Sequence, residues 1–186
     1  MARLVVLERD GVLVEPVAPA IRHPGEMRLL PGAGPALARL NRAGVLVAVI
    51  TRQPLLGRGP LDETMLRRQH EHLRDLLAPA GARLDHIGHV GAGEARDPGP
   101  AAAPAIRELL RLMRVAPDEA VLIGHCLDDL KAAANACIAR ILVRSGHGRA
   151  TQGAGIPAEV MPLRLVDDIL GAVNRLLGVE GGEGRA

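Results

Sequence analysis

The chain has 186 residues, 23 of them basic and 21 acidic, and its formal net charge is +2. This length suits one α/β domain, while the balanced charge and the complete lack of Phe, Tyr and Trp exclude the basic surface and the stacking platforms of a nucleic-acid-binding protein. Two cysteines, no leader segment and no apolar run of membrane-spanning length predict a cytoplasmic protein without a membrane partner.

Apolar runs alternate with helix signals along the chain. In chain order, the apolar runs predict strands at 4–7, 45–50, 84–88, 120–124 and 138–143. Between and after them, the patterns predict helices at 32–43, 62–77, 101–114, 127–136 and 166–177. The proline-containing segment 14–31 is predicted to be a loop or small flap.

Five strands that alternate with helices predict a mainly parallel sheet covered on both faces. The fold class is therefore α/β, a three-layer Rossmann-like architecture with about five strands. We expect one domain over residues 1–178 and a disordered tail over 179–186.

Polar residues lie at the carboxyl ends of three of the predicted strands. Glu8 and Asp10 follow the first strand, Thr51 ends the second, and the fourth is followed by the cluster His125, Cys126, Asp128 and Asp129. Because ligands of open α/β sheets bind outside the carboxyl ends of the strands, these positions indicate a phosphate or metal site.

Residues 4–12 resemble the first motif of the haloacid-dehalogenase (HAD) superfamily of phosphohydrolases, an apolar strand followed by Asp-x-Asp-Gly. Nearly the whole chain is similar to the capless branch that contains heptose 1,7-bisphosphate and histidinol phosphatases. Thr51-Arg52-Gln53 resembles the Thr-Asn-Gln of that branch, and 96–98, 124–129 and 142–146 resemble its Arg-Lys-Pro, Gly-Asp-x-x-x-Asp and Leu-Val-x-Thr-Gly. The resemblance implies a HAD-type fold without a large cap domain and a phosphatase acting on a phosphorylated small molecule.

The resemblance also implies roles for individual residues. Glu8 takes the place of the nucleophile and Asp10 that of the general acid and base. The positions that match phosphate- or substrate-binding residues are Thr51, Arg52, Arg58, Arg96 and Asp97. The implied cofactor is Mg²⁺, and the candidate metal ligands are Glu8, Asp10, His125 and Asp129.

Three of the four central positions depart from the family pattern. Glu8 replaces an aspartate, and a displacement on the order of 1 Å can cost ~100-fold in rate. His125 offers nitrogen where Mg²⁺ prefers anionic oxygen. Asp97 replaces a lysine and brings negative charge towards a phosphate.

Two interpretations of these changes remain open. His125 and Asp97 could form an ion pair that holds the pocket together without metal. Alternatively, Glu8, Asp10, His125 and Asp129 could form a rebuilt site for Zn²⁺ or Mn²⁺, with Cys126 as an additional thiolate or as a buried apolar residue.

Other histidines and arginines have simpler interpretations. Three cysteines of the family's zinc loop are missing around His89, so no structural zinc is expected, and His86 and His89 are predicted to be a solvated pair in a loop. His70 and His72 are predicted to lie on a solvated helix face. The arginines that form either a phosphate-binding rim or surface charges are Arg58, Arg96 and Arg144.

Two functional hypotheses follow. The substitutions favour a homologue of sugar-bisphosphate phosphatases whose phosphoryl-transfer site is impaired or inactive but still binds phosphate, with a protein partner if catalysis is lost. The alternative is an active metal-dependent phosphatase that uses Glu8 and Asp10 on a phosphorylated sugar or related metabolite.

Overall fold

A parallel sheet of six strands forms the centre of the molecule. The computed structural model describes residues 2–57, 61–91 and 98–179. Within them the strands are β1 (Leu4–Leu7), β2 (Leu46–Gln53), β3 (His86–Gly91), β4 (Ala120–Gly124), β5 (Ala139–Val143) and β6 (Arg164–Val166). Their order is β3-β2-β1-β4-β5-β6, and all neighbouring pairs are parallel.

Helices cover both faces of this sheet. They are α1 (Ala33–Arg42), α2 (Glu63–Leu77), α3 (Pro98–Met113), α4 (Leu127–Asn135), α5 (Gly148–Gly153) and α6 (Ile169–Leu176). None of the helices in the described part of the chain has the length and apolar character needed to span a bilayer.

The alternation of side chains along β1 explains the three layers. Leu4 and Val6 belong to an apolar cluster with residues of α3 and α4. Val5 and Leu7 point to the other face, into a cluster with residues of α1, α2 and α6. All four side chains are fully buried, as expected for a central parallel strand. The three-layer Rossmann-like fold is thus confirmed.

Several elements differ from the prediction, among them β2, which continues to Gln53 instead of ending at 50, and α5, which was not predicted. The sheet has a sixth strand, β6, where a helix was predicted to begin, because three residues are too few for a recognisable pattern. The last helix begins only after Asp168, whose carboxylate accepts a hydrogen bond from the Gly171 N–H at 2.8 Å. The third strand lies at His86–Gly91 instead of 84–88.

The proline-containing segment 14–31 folds back onto the carboxyl edge of the sheet. Val14 forms isolated bridges with Asp10 and Leu29, and the backbone N–H of Glu15 donates to the carbonyl of Arg28 at 2.9 Å. This segment is the predicted flap.

Candidate active site

The carboxyl ends of β1, β2, β4 and β5 meet at one edge of the sheet. Glu8 directly follows β1, Thr51 lies in the last part of β2, and His125 directly follows β4. Because all these strands run parallel, their end residues come together although they are far apart in sequence. Of the nine predicted site residues, the structure describes six at this edge; Arg58, Arg96 and Asp97, like the tail 180–186, lie outside the described residues.

The Glu8 carboxyl group is buried between two strands. The Thr51 hydroxyl donates to Glu8 Oε1 at 3.0 Å, and the Gln53 amide donates in turn to the Thr51 oxygen at 3.0 Å. Burial, with Asp129 and Asp10 nearby, raises the pKa of Glu8 to about 8, although Arg52 and the Thr51 hydroxyl act in the opposite direction. Unless a further cation joins Arg52 beside it, Glu8 is therefore harder to ionise than an exposed glutamate.

A fully buried arginine holds Asp10. Arg9 Nε and Nη2 donate to the two Asp10 carboxylate oxygens, both at 2.8 Å. The remaining terminal nitrogen of Arg9 donates to Gln69 Oε1 at 2.9 Å, and Gln69 donates to the Ile21 carbonyl at 3.0 Å. This bidentate ion pair orients the Asp10 carboxylate. Arg9 and Gln69 were not predicted as site residues. Gln69 has the helical spacing of the buried face of α2, which was a usable signal, whereas no pattern distinguishes Arg9.

Arg52 crosses from β2 to the first turn of α4. Its Nη1 donates to Asp128 Oδ2 at 2.7 Å, and its Nη2 lies 2.9 Å from Cys126 Sγ and 3.2 Å from Asp129 Oδ1. Burial disfavours the guanidinium charge, but Asp129, Cys126, Glu8 and Asp128 outweigh it and raise the pKa of Arg52. The side chain is thus a permanent cation within a group of acids.

The His125 imidazole fills the space between two glycines. A Cβ atom built on Gly11 would lie 2.7 Å from this ring, and one on Gly146 would lie 2.8 Å from His125 Nδ1. His125 Nδ1 accepts a hydrogen bond from the His147 backbone N–H at 3.0 Å. Burial lowers the pKa of His125. The nearby Asp129 raises it, and His147 lowers it further. The ring is therefore neutral and carries its proton on Nε2.

His125, Cys126 and Asp129 each offer one potential ligand atom, and these atoms lie within 4.8 Å of one another. The three groups are already engaged, however. Asp129 Oδ2 accepts the backbone N–H groups of His125 and Cys126 at 2.9 and 3.1 Å. Cys126 Sγ lies 2.9 Å from Arg52 Nη2, and burial raises the pKa of this thiol, again with a contribution from Asp129.

The remaining predicted residues have other partners. Arg144 donates to Asp167 Oδ1 at 2.6 Å and to Gln152 Oε1 at 3.0 Å. The Thr51 side chain is fully buried, and its role in phosphate binding stays a prediction.

Two of the histidine assignments were wrong. His86 and His89 lie in β3, not in a loop, and His89 Nε2 is 3.4 Å from Glu63 Oε1. His70 is buried on the inner face of α2, whereas a solvated face was predicted. The signal was available, because His70 lies four residues after Leu66 and three before Leu73, which are also buried.

Comparison with known proteins identifies the family. Residues 96–172 match the model of a family described as HAD-hydrolase-like. The D-glycero-beta-D-manno-heptose-1,7-bisphosphate 7-phosphatase of Bordetella bronchiseptica is 33% identical over 181 residues, which cover 94% of this chain and 98% of the relative. The chain belongs to the heptose-bisphosphate phosphatase family of HAD-like hydrolases. The enzyme of the same name from Pseudomonas putida is 31% identical over 94% of this chain and 99% of its own length.

Solved structures of this phosphatase family have the same fold. The crystal structure of D,D-heptose 1,7-bisphosphate phosphatase from B. bronchiseptica, complexed with magnesium and phosphate, superposes with a TM-score of 0.85 at 31% identity and covers 95% of this chain and 98% of that one. The corresponding protein from Burkholderia thailandensis gives a TM-score of 0.70, also at 31% identity, and covers 94% of this chain and 98% of its own.

The donors at the active-site edge of this family member differ from the all-oxygen set that suits Mg²⁺. A hard dication prefers several anionic oxygens, but the place of the second carboxylate is filled by His125, a nitrogen donor. With Nδ1 accepting from a backbone N–H, the Nε2 of His125 carries the proton and has no lone pair for a metal.

Proposed function

We propose that this chain is a homologue of sugar-bisphosphate phosphatases that binds a phosphorylated sugar but transfers its phosphoryl group slowly or not at all. The position of His125 carries this proposal. Its imidazole is packed against Gly11 and Gly146 and hydrogen-bonded to the His147 backbone, at the place where the family resemblance implies a magnesium-binding aspartate. A ring held in this way does not provide the missing negative charge.

The state of Glu8 supports the same proposal. A nucleophile must present an ionised oxygen to phosphorus, whereas the Glu8 carboxyl accepts the Thr51 hydroxyl and its burial raises its pKa. Its extra methylene also displaces the carboxyl group from the position that an aspartate would give it. A displacement on the order of 1 Å is sufficient to lower the rate ~100-fold.

Binding of a phosphorylated small molecule is the part of the family function that these changes leave in place. The relatives are named for a heptose 1,7-bisphosphate, and the relative from B. bronchiseptica was crystallised with phosphate. The carboxyl edge of the sheet, with Thr51 in the last part of β2 and the flap 14–31, is present here.

A rebuilt site for Zn²⁺ or Mn²⁺ is the second candidate, and one observation favours it. His125, Cys126 and Asp129 place their potential ligand atoms within 4.8 Å of one another. An active phosphatase of this kind would use Glu8 and Asp10 with a borderline metal, which accepts nitrogen and sulfur ligands. The hydrogen bonds that already engage all three groups weigh against it.

Phosphate release decides between these candidates. We would assay heptose 1,7-bisphosphate and other sugar phosphates with Mg²⁺, Mn²⁺ or Zn²⁺, comparing wild type with the quadruple variant Glu8→Asp/Arg52→Asn/Asp97→Lys/His125→Asp. We expect no turnover by wild type, turnover by the quadruple variant, and binding of the sugar phosphate to both in calorimetry. Metal-dependent turnover by wild type that Glu8→Ala abolishes would overturn the proposal and support the active enzyme.

A further inference from the structure

Arg52 is held in one orientation by groups from the opposite side of the site. Its two terminal nitrogens contact Asp128 Oδ2 at 2.7 Å, Cys126 Sγ at 2.9 Å and Asp129 Oδ1 at 3.2 Å. All three partners lie at the start of α4, whereas Arg52 itself lies in β2. A planar guanidinium satisfies such a set only in a fixed position, so the side chain bridges two elements of the site.

The same side chain balances the acids at this edge. The Asp129 side chain is only 3% exposed, so its charge requires a partner inside the protein. Arg9, which is fully buried at this edge, is already paired with Asp10. Within the described part of the chain, Arg52 is therefore the cation that compensates Asp128 and Asp129.

We propose that Arg52 is the resident cation of this site and excludes a divalent metal ion from it. A dication that approached Asp129 would meet the guanidinium at contact distance from Oδ1, while Oδ2 is occupied by two backbone N–H groups. A dication at this distance from the guanidinium would be repelled by its charge. Because Arg52 is tethered to β2, its effective concentration at the site does not depend on the metal concentration.

Metal binding and thermal stability test this inference without any measurement of turnover. We would titrate Mn²⁺ into wild type and Arg52→Asn, detect bound Mn²⁺ by its electron paramagnetic resonance signal, and measure Tm in EDTA and in Mn²⁺. Asparagine is the residue that the resembling family motif has at this place. In EDTA, loss of the cation should lower the Tm of Arg52→Asn by roughly 4–8 °C.

The two proteins should differ in their response to Mn²⁺. Wild type should show no saturable binding and an unchanged Tm. Arg52→Asn should bind Mn²⁺, and at about 100 times its Kd the metal should raise Tm by roughly 5 °C or more. Arg3→Asn is the matched control, since it breaks the more exposed ion pair between Arg3 and Glu119 at 2.8 Å and should neither bind Mn²⁺ nor respond to it.

Saturable Mn²⁺ binding by wild type, accompanied by a rise in Tm, would overturn the inference. So would an Arg52→Asn variant that folds, judged by circular dichroism, and binds no more Mn²⁺ than wild type. If Arg52→Asn does not fold, Arg52→Gln serves instead, and saturable Mn²⁺ binding by wild type would still overturn the inference. These outcomes are independent of the proposed function, because a wild type that binds Mn²⁺ could still lack phosphatase activity.

Discussion

At the scale of single residues, the contact between Gly11 and His125 explains why this edge of the sheet accepts a histidine. Gly11 has a φ of +86° and no side chain, and the His125 ring occupies the space that a Cβ would need. Ser145 and Gly146 close the other side, since the Ser145 hydroxyl donates to the Gly11 carbonyl at 2.8 Å. His125 is therefore packed as part of the core, which an open metal ligand would not be.

Two glycine substitutions separate the close contact from backbone strain. Gly11→Ala and Gly44→Ala both place a Cβ at positive φ, but a Cβ on Gly44 has no atom within 4 Å. We expect Gly44→Ala to lower the free energy of unfolding by about 1 kcal/mol and Gly11→Ala by a further 1–3 kcal/mol, approximately, from overpacking. Urea denaturation of both variants measures the difference. Equal losses would show that the His125 ring moves away without cost.

At the scale of elements, α2 links the site to the flap. Its inner face carries Leu66, Gln69, His70, Leu73 and Leu77, and Gln69 connects Arg9 to the carbonyl of Ile21. His70 lies beside Gln69, and within the described residues its buried Nε2 has no hydrogen-bond partner. Burial lowers the pKa of His70 to about 4, assisted by Arg9, His89 and Arg74. This helix therefore buries a neutral base close to the site.

The buried His70 makes stability depend on pH in a defined direction. Its ordinary pKa is 6.5, so below that pH the unfolded chain binds a proton that the folded protein does not take up until about pH 4. Stability should therefore fall as the pH decreases from 6.5 to 4, and His70→Gln should lose less stability over this range than wild type. Tm measured from pH 7.5 to 4.5 tests this. His72→Gln, a half-buried position on the same helix, should keep the wild-type pH dependence; equal profiles for all three proteins would contradict the prediction.

At the scale of the whole molecule, the core is built without aromatic rings. Two apolar clusters lie on opposite faces of the sheet, and their buried residues are Leu, Val, Ile, Ala and a single Met. Most of these residues expose only a few per cent of their surface. Alanines at the contact of α3 and α4 include Ala103, Ala132 and Ala133. Small residues of this kind let the helices approach the sheet closely, so that many aliphatic contacts replace the area that aromatic side chains usually bury.

Because such a core depends on many small contacts, removing one large aliphatic side chain should be costly. Leu37→Ala, on the inner face of α1, should lower the free energy of unfolding by about 2–5 kcal/mol. Leu112→Ala, at a position that is 60% exposed on α3, should change it by less than about 0.5 kcal/mol. Guanidinium denaturation measures both. Similar small effects would indicate a loosely packed core that relaxes around the cavity.

The sequence alone determined the fold class and the edge of the sheet that carries the site. Apolar runs such as Leu4–Leu7 leave no alternative to burial on both faces, and in a parallel sheet the polar residues after each run must converge. The residues that match the family motifs could be recognised from the sequence because they follow these apolar runs. The short strand β6 and the start of the last helix could not be predicted. A strand of three residues and a single capping residue give too weak a local pattern.

Only the tertiary structure decided the state of each site residue. Phosphate binding by Arg52 stays a prediction, whereas its contacts with Cys126, Asp128 and Asp129 are observed. These partners are more than 70 positions away in sequence and become visible only when β2 and β4 lie in one sheet. Charge, protonation and metal preference depend on such neighbours and on burial, which no sequence pattern specifies.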